Sequence, residues 1–122
     1  MKTKVAWMPK AQWPVEIGYI SNEKVFKKEM KDLDVELTFT EYGTALHIQN
    51  KETLEQRIYV CINRENVGKD RIDAWGTLVH EAVHAKQYIE KIIKEAKMAD
   101  ETEAYTVGWI AEWLFKQWED EK

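Results

Sequence analysis

The sequence predicts an α+β fold, with strands and helices segregated along the chain, and two observations carry that reading. Between Val35 and Asn63 apolar residues recur at every second position, the period of half-buried strands. From Asp73 onward, long proline-free stretches repeat apolar residues at helical spacing instead. The length sets the scale: 122 residues make one domain, spanning 1–122, able to bury roughly two thirds of its unfolded surface.

Taken in order, residues 1–14 hold Trp7, Trp13, Pro9 and Pro14 and read as an irregular or edge segment. Val15 to Ile20 alternates and predicts a first strand. Ser21 or Asn22 then caps a helix to about Leu33, with Val25, Phe26, Met30 and Leu33 inward and its lysines solvated. Val35 to Thr40, Thr44 to Ile48 and Arg57 to Ile62 predict three more strands. The polar and glycine residues between them suit hairpin turns, so a mostly antiparallel sheet of about four strands is expected. In the last strand Ile58, Val60 and Ile62 face helices, while the face of Tyr59, Cys61 and Asn63 is less committed.

A polar loop containing Gly68 leads to the central helix, with Asp73 as the expected N-cap. Nothing but Gly76 interrupts helical spacing from Ala74 to about Glu95. Ala96 to Ala99 reads as a turn. Asp100 is the expected cap of a last helix to about Trp118, with Glu103 completing a capping box.

Composition narrows the function classes. A net charge of −4 with dispersed lysine and arginine argues against nucleic acid as a partner. The lone cysteine, Cys61, cannot bridge internally and reads as a small buried filler. No N-terminal apolar run resembles a leader or a span, so a reducing cytoplasm and no membrane partner are expected. Of six tryptophans, three fall in the last helix, and core packing is favoured over a partner surface.

Chemistry concentrates in His80-Glu81-Ala82-Val83-His84, an H-E-x-x-H pattern. On a helix, residues i and i+4 stack, so His80 and His84 can offer two imidazole nitrogens to one zinc ion. Glu81 falls beside them as a base for metal-bound water. On the wheel, Trp75, Leu78, Val79, Ala82, Ala85, Ile89, Ile92 and Ile93 form an apolar face. The histidines lie opposite, with Thr77, Glu81, Gln87, Tyr88 and Lys91. A third ligand is expected from the following helix, where Glu101, Tyr105, Gly108 and Glu112 share a face read as inward. Gly108 would allow close approach, and Glu103 is the fallback ligand.

With Asp100-Glu101-Thr102-Glu103-Ala104-Tyr105 following it, this pattern resembles the gluzincin metallopeptidases, specifically the compact minigluzincins. It is also similar to small metallopeptidases encoded by phages. The resemblance implies a small zincin-like domain with one Zn²⁺ held by His80, His84 and Glu101, and Glu81 as general base. It also implies a peptide or protein substrate in the cytoplasm of a bacterium or a phage-infected host cell. Tyr105, Tyr88 and His47 are the candidates to assist the oxyanion, Tyr105 alternatively orienting a ligand. A peptide could add to a sheet edge, expected at the Arg57 to Ile62 strand. The alternative is a metal-stabilised binding module with a degenerate or occluded site and a partner on its aromatic last helix.

Overall fold

The computed structural model describes residues 3–9, 13–67, 70–94 and 99–121. It contains β1 (Ala6–Trp7), β2 (Glu16–Ile20), α1 (Glu23–Asp32), β3 (Gly43–Gln49), β4 (Gln56–Ile62), α2 (Arg71–Ile92) and α3 (Asp100–Asp120). The class is α+β, with the four strands in the order β1-β2-β4-β3. The sheet is mixed: β1 and β3 run antiparallel to their neighbours, whereas β2 and β4 pair parallel, Ile17 against Ile58 and Tyr19 against Val60. The expected mostly antiparallel sheet thus gains a parallel centre, and a parallel centre requires cover on both faces.

That cover is present. Ile17, Tyr19, Ile58, Val60 and Ile62 point to one face and pack with Leu78, Ala82, Ile89, Ile110 and Leu114 of α2 and α3. Ile20, Tyr59 and Cys61 point to the other and pack with Val25, Phe26 and Met30 of α1. Both faces of β4 are therefore committed, and Cys61 is a fully buried filler whose thiol burial pushes upward in pKa.

Val35 to Thr40 is not a strand. Asp34, at φ 57, closes α1 in the left-handed conformation, and Val35 N–H returns to Met30 O at 2.9 Å, a helix-stop geometry. Val35 and Phe39 then pack beside α1, with the Phe39 ring 5.2 Å from that of Phe26. Val35 and Phe39 are half-buried there, while Leu37 between them is 48 % exposed. The fourth strand is β1, inside the segment expected to be irregular or an edge.

Asn22 caps α1, accepting from Val25 N–H at 2.9 Å. Asp70, not Asp73, caps α2, its carboxylate accepting from Ile72 N–H at 2.9 Å. The capping box expected at Asp100 and Glu103 does not form: Ala99 is the N-cap of α3, without a side-chain bond. The expected turn at Ala96 to Ala99 lies outside the described residues except for Ala99, as does Gly68. Among the described residues no helix is long and apolar enough to cross a membrane.

Helices α2 and α3 run antiparallel, Trp75 stacked on Phe115 at one level and Lys86 bonded to Glu103 at another. At its far end α3 is fastened by the Glu121 carboxylate, 1 % exposed, which accepts from Tyr19 Oη at 2.6 Å and from Ser21 Oγ and pairs with Arg64 at 3.5 Å. Tyr19 is held far above the ordinary phenol range by burial, reinforced by Glu121. Of the tryptophans, Trp118 is buried and Trp75, Trp113 and Trp13 are half-buried, as core packing predicts; Trp7 and Trp109 are more open.

Candidate metal and catalytic site

Helix α2 is packed on three sides: its Leu78, Ala82, Ala85 and Ile89 row against the sheet, Trp75 and Lys86 against α3, and Thr77, Glu81 and Tyr88 along β3. His80 and His84 emerge between the β3 flank and solvent, and both are exposed. Their Nε2 atoms are 3.2 Å apart, and the ligating atoms of His80, Glu81 and His84 all lie within 4.8 Å of one another. Zn–N bonds of about 2.0–2.1 Å at the tetrahedral angle put two nitrogens about 3.3 Å apart, so the pair fits one metal ion. The His84 Nδ1–H donates to Gln87 Oε1 at 2.9 Å, which leaves Nε2 as the nitrogen with a free lone pair. Gln87 was placed on the polar face by the wheel, but its support of His84 was not anticipated; the i, i+3 spacing was the available signal.

Glu81 is not on a solvated face. It is 5 % exposed, turned toward β3, where its Oε2 would lie 3.4 Å from a side-chain carbon built on Gly43. Burial raises its pKa above the ordinary carboxylate value, against an opposing pull from His80 and His84. Gly43 is what lets β3 approach: a Cβ there would meet Thr77 Cγ2 at 2.9 Å, so any other residue would push α2 away. This glycine was read from the sequence only as a turn residue.

The strand beside the site is β3, an edge strand, while the Arg57 to Ile62 segment expected as the docking edge is interior, between β2 and β3. Asn63 N–H donates to Tyr42 O at 2.7 Å, which makes Tyr42 and Asn63 a hydrogen-bonded pair. Alternation along the ladder then turns the backbone groups of Gly43, Ala45, His47 and Gln49 toward the free edge. Tyr88 Oη donates to one of them, Ala45 O, at 3.4 Å. His47 packs against Tyr88 with the rings tilted at 47° and their centroids 5.5 Å apart, and its Nε2 lies 2.5 Å from Gln56 Oε1.

The expected α3 contributions are not brought to the histidines. Glu101, Tyr105, Gly108 and Glu112 do share a face, but it is the exposed one, Tyr105 being 75 % exposed. The inward row is Thr106, Ile110, Leu114 and Gln117. Glu103, near the polar side in the wheel reading, turns toward α2 and takes a bond from Lys86 Nζ at 2.9 Å. The pairing of Lys86 with Glu103 also sets Glu101 about one turn beyond His84 along the α2 axis. The Ile110, Leu114, Trp118 spacing was the better inward signal. Compared with known proteins, the chain matches no family, no curated protein and no solved structure.

Proposed function

We propose that the chain is a zinc-dependent metallopeptidase of compact gluzincin type, which lays an extended peptide along the free edge of β3 and hydrolyses it beside His80, Glu81 and His84. The observation that carries this reading is the 3.2 Å spacing of the two Nε2 atoms with a buried carboxylate in the same cluster. Zinc, when bound, would lower the pKa of a coordinated water toward about 7 and polarise the scissile carbonyl. The chain's own residues would do the rest. His80 and His84 hold the ion as neutral ligands, Gln87 keeping His84 in the required tautomer. Glu81, the carboxylate beside the two histidines, would take a proton from water and pass it to the leaving amine. The outward backbone groups of Gly43, Ala45 and His47 give an incoming strand its pairing partners. Tyr88 must release the Ala45 carbonyl to admit that strand, which leaves a hydroxyl donor on this flank; Tyr105 is too far round α3 for that role in the present arrangement.

For Glu101 to serve as third ligand, the first turn of α3 must rotate its outer face toward α2. Because it does not face α2 now, a second reading is kept: a metal-stabilised binding module whose site lacks a complete ligand set. Zinc stoichiometry on the wild type, His84→Ala, Glu101→Ala and Glu103→Ala separates the cases. Zinc held by the wild type and lost in His84→Ala is the expected result, and a zinc-free wild type would sink the metal site. Glu81→Gln should retain zinc and lose peptide hydrolysis by about 10²–10⁴-fold. Unchanged cleavage in that variant would remove the peptidase reading.

A further inference from the structure

Between the start of β3 and the first turns of α2 lies a shallow, open cleft of about 430 Å³, lined by Tyr42, Ile72, Asp73 and Gly76 and reaching His80 and Glu81. Gly76 is the informative wall. A glycine inside a helix costs about 1 kcal/mol relative to alanine, and folding usually justifies it by a positive φ or by crowding. Neither holds here: no described glycine has a positive φ, and a Cβ at Gly76 would meet nothing within 4 Å. Across the cleft Gly43 is the opposite case, required by the contact with Thr77. At Gly76, as at exposed Gly108, the backbone faces open space, and here that leaves one wall of the cleft bare.

The chemistry of the walls limits what fills that volume. Ile72 is 75 % and Tyr42 58 % exposed, two large apolar side chains at the mouth of one recess. Asp73 lines it and Glu81 stands at its inner end. The adjacent cation, Arg71, is drawn to the other flank by Glu119 at 2.7 Å and by the Trp75 ring at 4.5 Å. A side chain with an apolar stem and a cationic tip matches this recess, its stem along Tyr42 and Ile72 and its charge at Asp73.

We propose that this cleft receives a lysine or arginine side chain of the peptide laid along β3, next to the bond presented to His80 and Glu81. The inference rests on the peptidase reading and names its substrate preference. The test uses short alanine peptides with one central lysine, arginine, norleucine or glutamate, with the zinc-loaded wild type, Asp73→Asn and Gly76→Leu. Cleavage and fluorescence-anisotropy binding are both followed. The lysine and arginine peptides should exceed the norleucine peptide by about tenfold or more in kcat/KM. Asp73→Asn should shrink that ratio, and Gly76→Leu should lower cleavage of the lysine peptide more than of all-alanine, with no loss of melting temperature. Equal cleavage of the lysine, norleucine and glutamate peptides, or a preference unchanged in both variants, overturns the cleft assignment and leaves the peptidase reading standing. If the wild type cleaves no peptide, the peptidase reading falls instead. Selective binding of the lysine peptide, weakened by Asp73→Asn, then supports the cleft on its own, and equal binding overturns it.

Discussion

On the α3 flank of α2, Lys86 is buried between Glu90 at 3.1 Å and Glu103 at 2.9 Å, a cation met by two carboxylates. On the β3 flank, less than two turns away, Glu81 is buried to a similar depth beside two imidazoles. In the first cluster burial alone would lower the lysine pKa, and the bonds from Glu103 and Glu90 outweigh it. In the second, burial prevails and Glu81 is raised. The Lys86 cluster is complete as a fold element. The Glu81 cluster brings three possible ligand atoms within 4.8 Å of one another, and under the proposed function this is what separates a site from a helix clasp.

Three measurements test whether the two clusters are independent. The largest effect should come from Lys86→Met, which leaves the Glu90 and Glu103 carboxylates facing a packed interface. A loss of about 3 kcal/mol in denaturant unfolding, with zinc stoichiometry unchanged in the folded protein, is expected. Loss of zinc from folded Lys86→Met would join the two clusters into one system. Next, Gln87→Ala should weaken zinc binding by about 10–100-fold in a competition titration, with little change in unfolding midpoint. An unchanged affinity would mean that the bond to His84 has no part in metal binding.

The smallest effect concerns pH. Because the folded pKa of Glu81 is raised, its contribution to stability is fully present below the unfolded carboxylate pKa and is lost as pH rises through the folded value. Above that value its buried charge is a cost. Metal-free Glu81→Gln should therefore melt higher than metal-free wild type at neutral pH, the gap closing toward acid. A gap that widens toward acid would reverse the assigned sign.

What the sequence made legible follows the range of the interactions. The stacking of His80 over His84 is a property of one helix, and periodicity alone places it. The facing of α3 is not local: Glu101 with Tyr105 and Ile110 with Leu114 are both coherent rows, and the choice depends on Lys86, on another helix, engaging Glu103. Glu103, read as a cap and fallback ligand, instead reaches a buried cation. The alternation of Val35 to Thr40 was real, yet it reports burial of Val35 and Phe39 beside α1 and says nothing about a ladder. The parallel pairing of β2 with β4 did leave a trace, the nearly unbroken apolar run from Ile58 to Ile62, which marks a strand covered on both faces. Gly43 matters through Thr77, which stands opposite it, and that information exists only after folding.

The free edge of β3 has one more consequence. Gly43 to Gln49 contains no charged residue and no proline, the usual means by which proteins keep a sheet edge from recruiting another chain. Tyr88 covers the Ala45 carbonyl. If this edge takes up a peptide strand as proposed, it is open in the same way to the edge of a second molecule, so self-association should grow with protein concentration and be suppressed by a peptide that occupies β3.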